Sequence, residues 1–177
     1  MNLYLKEDSR YHAFHVLRKY FNSNDYAQDV INKFFKTQKI PIEKRNYINN
    51  LVLGVIRNKG KFDYILSDLY AGKYAKLKSE VKYILYIGLF QLDYLKSAPD
   101  HAAVSISVDI TRDKFKGFDK LVNAILRNYI KKRDEFILDN KKKETYNLLS
   151  HPSWLVNRWI KKYGFKKTLD ICDFNNS

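Results

Sequence analysis

An eight-residue segment occurs twice in this chain in one register, LVLGVIRN at residues 51–58 and LVNAILRN at residues 121–128. Each copy sets apolar residues at i, i+1, i+4 and i+5 and then closes on Arg-Asn, the spacing of one helical face ending in a cation. The copies stand about 70 residues apart, too far for the stacked units of a short solenoid, and two copies are too few for an array. Two similar helical halves packed into one domain are therefore expected. The rest of the chain agrees, because only six Gly and three Pro interrupt 177 residues. Such a chain favours helices joined by short turns over a sheet, and the fold class expected is all-α. With 45% hydrophobic residues it can bury a core of its own.

Apolar periodicity places the elements. A first helix, capped by Ser9, runs to about Phe21, and Asn22-Ser23-Asn24 breaks it. A second spans about Asp25 to Thr37. Pro41 suits the first turn of a third, with Ile48, Leu51, Val52 and Val55 as its core stripe. Gly54 in mid-helix costs about 1 kcal/mol relative to Ala, so a close helix crossing is its expected reason. Gly60 separates this helix from a fourth, Phe62 to Tyr70. A fifth, Ser79 to Leu95, is apolar over most of its circumference, as a surrounded central helix is. Pro99 and Asp100 open a sixth, and Phe118 to about Arg133 forms a seventh. The polar stretch 139–143 reads as a linker or a solvated helix face, and two short amphipathic helices follow, Ser153 to Tyr163 and Phe165 to about Phe174. The division expected is a helical domain over 1–138, then a linker and the truncated start of a further region over 139–177.

The formal net charge of +14 is spread over every third of the chain rather than held in a tail. That distribution suits a polyanionic partner met by a folded surface. Abundant Lys, Asn, Ile, Tyr and Phe also fit a compositional bias that would raise the charge without a function. Cys172 is the sole cysteine, which excludes an intramolecular disulfide and points to a reducing compartment, the cytoplasm. No segment is apolar for long enough to span a bilayer, so no membrane partner is expected. His12, His15, His101 and His151 offer no metal spacing, and His101 has no cysteine near it and an Asp100 that suits a helix start, so neither a metal nor a catalytic role is assigned.

Five motifs in order carry a resemblance. They are Arg10-Tyr-His-Ala13; Arg45 followed by Leu51-Val52-Leu53-Gly54-Val55-Ile56-Arg57; Phe62-Asp63-Tyr64-Ile65-Leu66; Pro99-Asp100-His101-Ala102-Ala103-Val104; and Val122-Asn123-Ala124-Ile125-Leu126-Arg127. Over about residues 8–133 they are similar to the NusB-like family of helical RNA-binding domains. The resemblance implies about seven helices in two similar bundles followed by a short helical extension. The tail, Ser150-His151-Pro152-Ser153-Trp154-Leu155-Val156 with Arg158-Trp159 and Tyr163-Gly164, resembles the segment after that domain in RsmB/Sun (Fmu)-type 16S rRNA cytosine-C5 methyltransferases. Those enzymes carry a Gly-rich loop for S-adenosylmethionine and a cysteine nucleophile in a Pro-Cys context. Here no Gly-x-Gly occurs and Cys172 lies between Ile171 and Asp173, so the catalytic domain is absent, no catalytic residue is assigned, and the chain itself holds no cofactor. The function implied is the RNA-binding part of an rRNA methyltransferase, with 16S rRNA as partner. The alternative is a free-standing NusB-type antitermination factor that binds a boxA-like RNA and a ribosomal protein; a third reading is a helical protein-interaction domain.

The candidate RNA contacts are Arg10, Arg18, Arg57, Lys59, Lys61, Arg112, Lys114, Lys116, Arg127, Lys131 and Lys132. Most fall into basic clusters near helix ends, where phosphate is held by side chains and backbone together. Arg57 and Arg127 equally suit a helix C-terminus or a carboxylate such as Asp63. Lys141 to Lys143 form a run that could track RNA or stay solvated. Tyr11, Tyr74 and Tyr129 are candidates to stack on an unpaired base, though aromatic residues at helical spacing are mainly core.

Overall fold

The computed structural model describes residues 3–95, 99–138, 148 and 150–176. Among the described residues ten α-helices have bounds: α1 Leu3–Glu7, α2 Ser9–Phe21, α3 Ala27–Thr37, α4 Ile42–Arg57, α5 Lys59–Leu69, α6 Ser79–Tyr94, α7 Asp100–Lys114, α8 Asp119–Leu138, α9 Ser153–Tyr163 and α10 Phe165–Asn176. A 3-10 turn at Tyr74–Lys76 precedes α6, and no strand occurs among the described residues. The all-α, NusB-like expectation holds. Lys141 to Lys143 and the proposed boundary near residue 139 lie outside the described residues.

α6 is the centre. Eleven of its sixteen residues are buried, including Leu85 and Leu89 at 0% exposure, so neighbours must cover it nearly all round. α2 and α4 pack on it, as do α7 and α8. Two small-residue contacts show how. A Cβ on Gly54 of α4 would lie 2.1 Å from the Phe90 ring of α6, and a Cβ on Gly88 of α6 would lie 2.8 Å from Leu126 of α8. Gly54 therefore has the close crossing expected of it. Positions two apart on a helix point about 200° away from each other, so residues 88 and 90 receive the two repeated segments on opposite faces of α6.

The two copies are not in identical register. In the first, Leu51, Val52, Gly54 and Val55 are buried; in the second, Val122, Ile125 and Leu126 are, with Leu121 only partly covered and Ala124 exposed. The second helix is turned by about one residue because its bulky Leu126 fills the gap that Gly88 leaves.

Several boundaries differ from the sequence expectation. Asp8, not Ser9, caps α2: its Oδ1 accepts the Arg10 backbone N–H at 2.8 Å, and its carboxylate also binds the Arg10 guanidinium. A carboxylate there meets both the open N–H groups and the positive end of the helix dipole. α1 was not foreseen, although its Leu5 is buried in the core. Gly60 does not separate α4 from α5. It lies in the first turn of α5, and the junction is the single residue Asn58, 3% exposed, whose backbone N–H and Nδ2 both donate to the Gly54 carbonyl at 3.1 and 3.0 Å. α8 continues past Arg133 to Leu138, held by Phe136, which is 1% exposed beside Tyr129. Gly117, at φ 90°, reverses the chain between α7 and α8 in the left-handed region that favours glycine.

The buried hydroxyls of α7 are satisfied within the helix. Ser107 Oγ donates to the Ala103 carbonyl at 2.8 Å and Thr111 Oγ1 to that of Ser107 at 2.7 Å. Past α8, α9 and α10 pack on each other around Val156, Thr168 and Cys172, while Trp154, Phe165 and Phe174 stay exposed. Burial raises the pKa of the Cys172 thiol, which keeps it protonated.

Candidate nucleic-acid interface

A cation serves a polyanion only if the fold leaves it accessible and without a carboxylate, and this test divides the candidates. Arg10 is held at home: its Nη2 lies 2.6 Å from Asp8 Oδ2, and Nη1 reaches the Gln91 amide oxygen at 3.4 Å. Burial pulls the Asp8 pKa up, but Arg10 overrides it and the net shift is downward. Lys61 is held more firmly. Its side chain is 16% exposed, and its ammonium sits 2.7 Å from Asp93 Oδ2 and 3.3 Å from the Tyr94 hydroxyl. Burial alone would lower its pKa, yet Asp93 and Tyr94 together more than offset that and raise it, so Lys61 stays charged inside the fold.

Lys59 binds Asp63 at 2.5 Å. The same carboxylate accepts the hydroxyls of Tyr74 and Tyr86. Burial, and then the negative Asp63, raise the pKa of both phenols and keep them protonated. Lys114 lies 3.2 Å from Asp113 and over the Tyr11 ring. Arg18, largely exposed, stands 3.9 Å from Glu80. Of the tyrosines proposed for stacking, Tyr129 is 0% exposed and donates its hydroxyl to Asp93 at 2.5 Å, and Tyr11 is 8% exposed. Burial removes both as platforms, and Tyr74 has its hydroxyl on Asp63 and Lys82 over its ring.

The remaining cations are placed differently. A groove of about 680 Å³ runs between α7 and α8, and Arg112, Arg127 and Lys131 line it. Val104, Val108 and Ile130 supply its apolar lining, and His101 is exposed along it. Arg112 is steadied by Asp109 at 2.9 Å and by Asp119 at 3.7 Å, yet its side chain stays 62% exposed. Arg127 donates from Nε to Asn123 Oδ1 at 3.0 Å, a neutral partner that orients the guanidinium without cancelling its charge. Because α8 runs on to Leu138, Arg127 caps no helix end. Lys131, Lys132 and Lys116 are exposed, and no described carboxylate pairs with them. Arg133 instead closes on Asp100 at 3.1 Å, tying α8 to the start of α7.

Arg57, the last residue of α4, is also exposed, and Asp63 is occupied by Lys59 and the two tyrosines rather than by Arg57. The fold thus brings Arg112, Arg127 and Lys131 together, leaves Arg57, Lys116 and Lys132 open elsewhere, and turns Arg10 and Lys61 inward. Among the described residues no cluster of His, Cys, Asp and Glu is arranged to hold a metal ion, and no helix is long and apolar enough to cross a membrane.

Comparison with known proteins agrees with this architecture. The NusB family pattern matches residues 7–131, from the cap of α2 through the groove-lining part of α8. A probable ribosomal RNA small subunit methyltransferase B of Bacillus subtilis is 29% identical over 163 residues, covering 90% of this chain and 36% of that protein. Its counterpart in Synechocystis is 29% identical over 167 residues, covering 93% and 37%. The ribosomal RNA small subunit methyltransferase B of Escherichia coli O1:K1 is 31% identical over 143 residues, covering 78% and 32%. The chain spans about a third of the length of these curated relatives. The first two matches are too long to fit inside residues 7–131 and so take in part of the segment beyond α8. With its pattern covering most of the chain and its helices arranged around α6, this protein belongs to the NusB family.

Proposed function

We propose that this chain is the RNA-holding part of an S-adenosylmethionine-dependent rRNA cytosine-C5 methyltransferase, acting in the cytoplasm on 16S rRNA. Residues 1–138 grip the RNA, and 139–177 begin the region that leads to a catalytic domain. The α7–α8 groove carries the reading: three cations line one concavity together with Asp100 and Asp109, and two of them, Arg127 and Lys131, have no carboxylate partner among the described residues. Phosphates held there position the RNA without reading its bases. Similarity to the small subunit methyltransferases, reaching past the family pattern, favours this reading over a free-standing antitermination factor.

S-adenosylmethionine does not fit the described residues. The described elements are all helical, no Gly-x-Gly loop is available to approach the cofactor closely, and Cys172 is a buried thiol between α9 and α10. The chemistry belongs to residues other than these.

Affinity for a structured fragment of small-subunit rRNA, measured across a salt series, tests the reading. Log affinity should fall linearly with log salt, and the double variant Arg127→Gln, Lys131→Gln should flatten that slope by about one unit for each phosphate no longer neutralised. Unchanged slope and affinity would remove the groove from the interface.

A further inference from the structure

The two walls of the α7–α8 groove differ in charge. On α8, Arg127 and Lys131 are exposed, with no described carboxylate on either. On α7, Asp100 and Asp109 line the same groove, and each already has a cation: Arg133 lies 3.1 Å from Asp100, and Arg112 lies 2.9 Å from Asp109. The bond from Arg112 uses only Oδ1 of Asp109, and Oδ2 has no described partner. Asp109 thus keeps a hydrogen-bond acceptor at the groove while its charge is answered. Between the walls lie Val108 and Ile130, both partly exposed. Two ion pairs fix the ends. Arg133 on Asp100 sets the exposed His101 at the same end as Lys131, and Arg112, 3.7 Å from Asp119, stands at the other end with Asn123.

This asymmetry selects the form of the RNA. A duplex carries phosphates on both strands and hides its base edges. Laid in the groove, it would set one row of phosphates against Asp100 and Asp109 and leave the apolar floor uncovered. An unpaired strand has phosphates on one side and bases on the other. Its phosphates suit the α8 wall, its base faces suit Val108, Ile130 and the His101 imidazole, and its base edges then meet α7. An ionised carboxylate only accepts hydrogen bonds. Cytosine offers it an exocyclic amine, whereas uracil has a carbonyl oxygen in the same place and is repelled. We propose that the groove takes one unpaired stretch of RNA in a single orientation, phosphates on Arg127 and Lys131, bases across Val108 and Ile130, and the amine of an amine-bearing base on Asp109 Oδ2. The proposal rests on the RNA-binding reading above and deepens it: α8 positions the strand, and α7 reads it.

The test uses the whole chain and three labelled RNAs of one length: oligocytidine, oligouridine, and the same oligocytidine paired with oligoinosine. Fluorescence anisotropy at one salt concentration should show oligocytidine bound about tenfold more tightly than oligouridine, the discrimination expected of one well-placed base contact. The duplex should also bind more weakly than the free strand. Asp109→Asn, whose amide offers a donor as well as an acceptor, should bring oligocytidine and oligouridine to the same affinity. Arg127→Gln should weaken both strands and keep their ratio, because phosphate contacts position without reading. Circular dichroism checks that each variant keeps its helices. Equal affinity of the unaltered protein for the two strands, or a duplex bound as tightly as the free strand, would overturn the proposal while leaving RNA binding intact. A preference for cytidine that survives Asp109→Asn would place base reading elsewhere and overturn it as well. If none of the three RNAs binds, the RNA-binding reading itself falls and takes the proposal with it.

Discussion

Gly54→Ala sets two known effects against each other at the crossing that centres the fold. In an exposed helix interior the change is stabilising by about 1 kcal/mol, through helix propensity. Here the new Cβ would sit 2.1 Å from Cε2 and Cζ of Phe90, whereas carbon atoms rest about 3.5–4.0 Å apart. The helices or the ring must therefore yield by more than about 1 Å. The ring is poorly placed to do so, being 5% exposed and stacked on Tyr94, whose hydroxyl is bound to Asn58. Overpacking of a filled core costs about 1–3 kcal/mol, so the net expectation, after the propensity gain, is a destabilisation of up to about 2 kcal/mol. Urea unfolding followed by circular dichroism measures it. Adding Phe90→Leu to Gly54→Ala should make the pair less damaging than the sum of the single changes, by more than about 0.5 kcal/mol. A Gly54→Ala protein more stable than the parent would refute the close crossing and the account of why glycine stands there.

Leu89→Ala should cost about 2–5 kcal/mol in the same assay, since Leu89 is fully buried in α6, and a loss below about 0.5 kcal/mol would mean that α6 is not central. Asp93→Asn should cost about 3–5 kcal/mol, because it strands the buried Lys61 charge; adding Lys61→Met to Asp93→Asn, which keeps an acceptor for the Tyr129 hydroxyl, should recover most of that, and a cost of the single change below about 1 kcal/mol would show that Lys61 escapes to solvent. Burial, with Lys114 and Arg18 nearby, lowers the His15 pKa from 6.5 to about 4. The unfolded chain then takes up a proton that the folded one refuses, so this contribution is intact above pH 6.5 and is lost as pH falls from 6.5 towards 4. His15→Gln should flatten the decline of melting temperature across that window, and an unchanged profile would assign the decline to other groups.

Helix order was legible in the sequence because the apolar spacing of α2, α4, α6 and α7 is regular; the double occurrence of one segment led to an expectation of two similar halves, and the two copies pack on opposite faces of α6. Elements without a sequence signal lack one for physical reasons. α1 is five residues long, too short for a period to show, and only its tertiary contact buries Leu5. The end of α8 is hidden by the charged run Lys131-Lys132-Arg133-Asp134-Glu135, which interrupts the apolar spacing before the buried Phe136. The candidate site was legible as a set of cations but not as a surface. Lys61 and Tyr129 meet on Asp93, which lies 32 residues from one and 36 from the other, and no local pattern announces such pairing.

The placement of the unpaired cations bears on whether the charge of +14 is functional or compositional. Drift alone would scatter lysines wherever they do least harm. Arg127 and Lys131 are instead four residues apart on one helix and line the same groove as Arg112. Like charges at that spacing destabilise a helix by about 0.2–0.5 kcal/mol, while Arg133 on the same helix has a carboxylate and Arg127 has only the neutral Asn123. Asp100 and Asp109 also line the groove, and Asp109 answers Arg112, so what a polyanion would relieve is the repulsion between Arg127 and Lys131. Replacing Arg127 with Gln should raise the stability of the free protein slightly, by about 0.2–0.5 kcal/mol at low salt. It should lower the rise in melting temperature that bound RNA produces, since a ligand stabilises only through the affinity it has for the folded state. Thermal unfolding of both proteins with and without rRNA reads the two effects together. Should Arg127→Gln leave the free protein no more stable and the RNA-induced rise undiminished, the groove carries no functional strain, and the excess charge there is compositional.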